Sequence, residues 1–180
     1  MVYFFDNKVI LISAVIYVII IVFLKLFFKK KVTFYIFFTL MYLYINVAIK
    51  YTQFPIYNDE FQRSVLGPFS IEKNFNFVPF KDFLNTSSLY NIILAVPFGF
   101  LMPFLTKTNF PRILLMGIGF SSILEGIQAL VGMAVGYSAR TIDVNDLICN
   151  TMGAMIGYGL FVIFRKLVKK FFQTTPDNEI

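Results

Sequence analysis

In "SSILEGIQ" (121–128), Ser121, Glu125 and Gln128 fall at i, i+4 and i+7, which places all three on one face of a helix. Asp143, Asp146, Asn150, Gly153 and Gly157 follow at i, i+3, i+7, i+10 and i+14, again a single stripe, with Arg140 just ahead of it. Asn91 stands near the start of another apolar run. Carboxylates, amides and a guanidinium can do acid–base and electrostatic work without histidine. Glu125 would serve as general acid or base and Arg140 as the electrostatic partner of a phosphate. Asp143 and Asp146 would position a cation or a substrate hydroxyl.

Each group also has a plainer role. Asp143 three residues before Asp146 fits a helix N-cap followed by an acid in the first turn. Gly153 and Gly157 form a small-xxx-small pattern suited to helix packing. Asn91 and Asn150 can hydrogen-bond between helices, and Glu125 can form an ion pair with Arg140.

The elements that must hold these groups are membrane spans. The chain has 180 residues, 58% hydrophobic and 14% charged, with a mean hydropathy of +0.73, and its apolar residues come in long blocks. Crossing about 30 Å of hydrocarbon takes about 17 to 25 helical residues. Runs of that length occupy 9–28, 32–49, 89–105, 113–131 and 146–164. The first has only Lys8 as a basic leader, no small-x-small cleavage site and "KKK" at 29–31 as a stop, so it reads as a span rather than a signal peptide. Pro97 and Pro103 predict a kink or break in the third. The fold class is therefore all-α, a polytopic membrane protein of about five transmembrane helices.

With no histidine and one cysteine, Cys149, the chain alone can build no Ser-His-Asp or Cys-His pair, no histidine-bearing zinc site and no internal disulfide. No metal or cofactor is expected. The net charge of +6 comes from short basic clusters beside apolar runs, which orient spans rather than bind nucleic acid.

Lys25, Lys29, Lys30, Lys31, Lys107, Arg112, Arg165, Lys166, Lys169 and Lys170 share one side, with only Asp177 and Glu179 as acids there. By the positive-inside rule that side is cytoplasmic, the N-terminus lies outside, and residues 132–145, Ser138 included, face outward. The chain reads as a single membrane domain, 1–180, with two N-terminal spans over 9–49. In the connection 50–88, "FNFVPFKDF" (75–83) is aromatic enough to lie at the membrane interface.

In this orientation the polar groups of three spans converge in the outer part of the membrane. A carboxylate at the centre of a span costs about 2.5–3.5 kcal/mol on insertion scales. Glu125, about 9 Å below the outer end of its run, therefore needs a polar partner or a proton.

"NFVPF" (76–80), "NIILAVPFGFLMP" (91–103), "SSILEGIQ" (121–128) and "RTIDVNDLICNTMGAMIGY" (140–158), in that order and spacing, resemble the VanZ-like family. The resemblance covers roughly residues 72–160 and defines a core of about 72–165; the first two spans add nothing diagnostic to it. It implies a small multi-span protein of the bacterial cytoplasmic membrane with a part in reduced susceptibility to teicoplanin. The family's recurring polar positions fall on Asn76, Pro79, Asn91, Pro97, Gly99, Glu125, Gln128, Arg140, Asp143, Asp146, Asn150 and Gly153. One departure is Asn145, where many relatives carry another acid, so the cluster is less acidic than in those relatives.

Three functions are open. A non-enzymatic outer-face cleft would bind a lipid-linked or peptidoglycan-derived ligand, or the acyl chain that teicoplanin has and vancomycin lacks. The ligand-binding residues would be Asn76, Asn91, Glu125, Gln128, Arg140, Asp143, Asp146 and Asn150, and the partners membrane lipids, a lipid-linked cell-wall precursor or a lipoglycopeptide. An intramembrane enzyme would act on an envelope lipid through Glu125. An ion-coupled transporter would use Glu125 as its proton site, against which stands the lack of polar residues through the inner halves of the last three spans.

Overall fold

In hydrocarbon a chain must satisfy its own backbone groups, and a helix does so within one segment. The computed structural model describes residues 2–57, 59–81, 83, 85–137 and 140–173, so Ser138, Asp82, Asp177 and Glu179 lie outside the described residues. Its helices are α1 (Asn7–Phe27), α2 (Val32–Gln53), α3 (Glu60–Leu66), α4 (Ile71–Asn74), α5 (Thr86–Leu105), α6 (Phe110–Val135) and α7 (Val144–Gln173). Five of them, α1, α2, α5, α6 and α7, are long and apolar enough to cross a membrane.

Polar caps carry several helices past the apolar runs that define them. Asn85 accepts from the Ser88 N–H and starts α5; Asn109 accepts from the Arg112 N–H and starts α6, which ends at Gly136 in the left-handed region (φ 83°). Because α6 reaches Val135, Glu125 sits about 15 Å from that end of the helix, deeper than the apolar run alone implies. The basic residues Arg165, Lys166, Lys169 and Lys170 extend α7 beyond its apolar stretch.

Lipid tails are as apolar as the side chains, so helices associate through close packing. A Cβ added to Gly99 would lie 1.9 Å from the Ala154 carbonyl oxygen; one on Gly153 would lie 2.2 Å from Ile92 O, and one on Gly157 2.0 Å from Val96 O. Helices α5 and α7 thus run parallel in backbone contact. Helix α6 packs on α7 through Gly117, whose added Cβ would approach the Ala154 Cβ to 3.1 Å. Phe98 of α5 stacks on Phe120 of α6 with ring centroids 4.5 Å apart.

Of the expected kink or break in the third span, the break does not occur: α5 is continuous through Pro97 and Pro103. Pro97 frees the carbonyl of Ile93, and beside it the Tyr44 hydroxyl of α2 donates to Leu94 O at 2.8 Å. Helix α1 buries none of its residues. Polar contacts tie it to α2: Ser13 Oγ lies 2.9 Å from the Tyr42 hydroxyl and the Tyr17 hydroxyl 2.6 Å from Thr39 Oγ1.

Two short pairings organise the connections. Strand β1 (Val2–Tyr3) runs antiparallel to β2 (Ile56–Tyr57). Strand β3 (Phe75–Asn76) runs parallel to β4 (Ile142–Asp143), with Phe75 opposite Ile142 and Asn76 opposite Asp143.

Candidate functional site

The N-terminal ends of α5 and α7 and the C-terminal ends of α2 and α6 meet at one end of the bundle, where the β3–β4 pair crosses them. A cleft of about 870 Å³ lies there between α2 and α5. Its polar end is lined by Asn91, Gln128, Arg140, Asp143, Asn145 and Asp146, and its deeper wall by Tyr44, Val47, Ile93, Leu94 and Pro97. From Asn85 to Pro97 the lining follows α5 for about 18 Å, more than half of a hydrocarbon core. Val47, Tyr51, Tyr90 and Ile93 are exposed on the flanks, so the cleft is bordered by surface that faces lipid.

The short stretch 140–146 is held from several directions. Asp143 immediately precedes α7, and its Oδ1 accepts from the Asn145 N–H at 2.8 Å, which makes it the cap of that helix. The same oxygen accepts from Asn76 Nδ2 at 2.9 Å. Asn145, buried, accepts from the Phe80 N–H at 2.7 Å and donates to Lys81 O at 2.8 Å. Phe80 has φ 63°, uncommon for a residue with a side chain. The segment around it is therefore pinned to the mouth of α7, while Phe77, Val78 and Phe80 stay exposed.

Arg140 donates to Tyr51 O at 3.3 Å and to Phe54 O at 3.0 Å, carbonyls at the end of α2 where a cation meets the negative end of the helix dipole. Burial pulls the guanidinium below its ordinary value; Glu125, Asp146 and Tyr57 oppose that shift. Arginine remains a cation under either influence.

Glu125 is 8% exposed and does not line the cleft. Its Oε2 accepts from the Asp143 N–H at 3.2 Å, so it buttresses β4 from behind while feeling Asp146, Asp143 and Arg140 electrostatically. Gln128 does line the cleft and donates to Thr52 O at 3.1 Å. Asn91 is within hydrogen-bonding reach of the Asp146 carboxylate, which joins α5 to α7. Asn150 is buried away from the cleft: its Nδ2 donates to Ser121 Oγ at 2.9 Å, and its Oδ1 has no partner among the described residues. Of the expected ligand-binding set, Asn91, Gln128, Arg140, Asp143 and Asp146 face one cleft, and Asn76, Glu125 and Asn150 support it from outside. Among the described residues no three His, Cys, Asp or Glu side chains are placed to hold a metal ion.

The family model VanZ/LLP1 matches residues 9–165. The chain belongs to the VanZ/LLP1 family. No curated protein and no solved structure matches it. The VanZ/LLP1 match takes in the first two spans, which the motif resemblance over 72–160 left aside. In this VanZ/LLP1 protein α2 builds one wall of the cleft with Tyr44, Val47, Tyr51 and Thr52.

Those α2 residues escaped the sequence reading because an apolar or aromatic residue within a span has no local mark that sets a lining face apart from a lipid face. A signal did exist for Thr52 and Gln53, polar residues at the end of an apolar run. Both are buried, and Gln53 Nε2 donates to Leu124 O at 3.3 Å.

Proposed function

We propose that this VanZ/LLP1 protein binds an amphiphilic envelope ligand in the cleft between α2 and α5, on the outer side of the bacterial cytoplasmic membrane. The observation that carries the reading is the polarity gradient along one continuous lining, with amides, carboxylates and Arg140 at the mouth and Tyr44, Val47, Ile93, Leu94 and Pro97 below. A ligand with a polar head and an acyl chain matches both halves at once, and ligand sites combine an apolar lining with a few placed polar groups. A lipid-linked cell-wall precursor has that form, and so does teicoplanin through its acyl chain. Reduced susceptibility would then follow acylation, because a soluble glycopeptide lacks the part that the apolar wall takes.

The test is binding of teicoplanin and of vancomycin to the purified protein in nanodiscs, wild type beside Ile93→Trp, which narrows the apolar wall. Teicoplanin should bind and vancomycin should not, and Ile93→Trp should weaken teicoplanin. Equal binding of both drugs, or no effect of Ile93→Trp in a folded protein, would refute the acyl-chain reading.

The shared placement of Arg140, Asp143 and Asp146 supports a second reading, an intramembrane enzyme on an envelope lipid. In that reading the carboxylates at the cleft are better placed than Glu125, which is engaged behind β4. A new lipid species in cells carrying the protein, found by envelope lipid analysis, would favour the enzyme.

A further inference from the structure

At the opposite end of the bundle a second cleft, of about 620 Å³, lies between the end of α5 and the stretch of α7 from Tyr158 to Lys166. Lys107, Arg165 and Lys166 line its rim, and Phe104, Tyr158 and Phe161 line its wall. The rings form a continuous apolar face: Phe104 meets Phe161 edge-on at 5.0 Å and Tyr158 stacks with Phe161 at 6.3 Å. The loop that presents Lys107 is held in place, because Arg112 Nη1 donates to the Lys107 carbonyl at 3.0 Å. Among the described residues no acidic side chain lines this cleft; the described acids belong to the connections and helix ends at the other end of the bundle, or to Glu125.

We infer that this second cleft is a binding site for one anionic phospholipid, its phosphate held by Lys107, Arg165 and Lys166 and the start of an acyl chain laid against Phe104 and Phe161. Three cations around one pocket favour a phosphate, and basic pockets between membrane helices are suited to anionic headgroups. Arginine adds a fork that matches two phosphate oxygens. The aromatic wall is what separates a lipid site from a site for a free anion, since inorganic phosphate gains nothing from it. The site is independent of the first cleft, so either can fail without the other.

The experiment counts lipids retained by the purified protein in native mass spectrometry, from micelles holding phosphatidylglycerol and phosphatidylcholine of matched chains. Wild type should retain one phosphatidylglycerol with a preference of about tenfold, and Lys107→Gln/Arg165→Gln/Lys166→Gln should bring it near parity. The control Lys29→Gln/Lys30→Gln/Lys31→Gln removes the same charge elsewhere on this end and should leave the preference intact. Should the site triple variant fail to fold, Arg165→Gln alone, at an exposed position, should lower the preference several-fold. Loss of preference in the control equal to that in the site variant would overturn the inference in favour of diffuse surface attraction, as would no preference in the wild type. Displacement of the lipid by millimolar inorganic phosphate would overturn the lipid assignment and leave an anion site.

Discussion

Glu125 can hold the structure in two ways, and a pair of substitutions separates them. Its Oε2 accepts from the Asp143 N–H at 3.2 Å, and its charge interacts with Arg140. Glu125→Gln keeps an acceptor oxygen of the same reach and loses the charge. Glu125→Ala removes both and leaves the half-buried Asp143 N–H without its acceptor, which costs about 1–3 kcal/mol, with roughly another 1 kcal/mol for the lost apolar burial. Were the ion pair dominant, Glu125→Gln would cost about 3–5 kcal/mol by leaving a buried cation alone. Arg140 is only half-buried and donates to Tyr51 O and Phe54 O, so that penalty should not arise. The expected order is therefore Glu125→Gln within about 1 kcal/mol of wild type and Glu125→Ala lower by about 2–4 kcal/mol. Equilibrium unfolding in mixed detergent micelles, read by tyrosine fluorescence, measures both. Equal destabilisation by the two variants would show that charge, not the hydrogen bond, fixes β4. Ligand binding adds a second reading: Glu125→Gln should retain it, because the carboxylate does not line the cleft, whereas Asp146→Asn should weaken it. Loss of binding in a stable Glu125→Gln protein would put Glu125 at the centre of the chemistry.

Gly99→Ala should destabilise by about 1–3 kcal/mol, because its Cβ would fall 1.9 Å from Ala154 O and the two backbones must part. Gly126→Ala, with nothing within 4 Å of the added Cβ, should be neutral or gain up to about 1 kcal/mol in the same unfolding assay. Asn145→Asp forfeits the donation to Lys81 O while keeping an acceptor for Phe80. Faster hydrogen exchange confined to residues 75–83 is the expected result, and unchanged exchange there would remove Asn145 as the anchor of that segment. For the orientation, Ser64→Cys in a Cys149→Ser background should react with an impermeant maleimide in intact cells, since Ser64 is exposed in α3 at the cleft end. Labelling only after lysis would place the cleft on the cytoplasmic side.

The sequence alone determined the five spans and the helical spacing of the polar groups on α6 and α7. Both are local properties: bilayer crossing depends on the apolar content of one contiguous run, and a stripe on the turn of a single helix. Asp143 as the cap of α7 and Gly153 and Gly157 as packing residues were legible for the same reason, since capping and small-residue spacing act within a few residues of chain. Only the tertiary structure decided which polar residues face the cleft. That depends on where the helices and the β3–β4 pair come to lie against one another: the glycines mark the face of α7 that meets α5, but no local pattern says which polar residues the other elements leave at the cleft. Glu125 and Gln128 share one helix face, yet Gln128 reaches the cleft and Glu125 stops behind Asp143, because β4 passes between. Asn145, beside a stripe of acids, lines the cleft while its amide holds Phe80 and Lys81, and the α2 wall comes from residues whose role exists only once a partner helix lies opposite them.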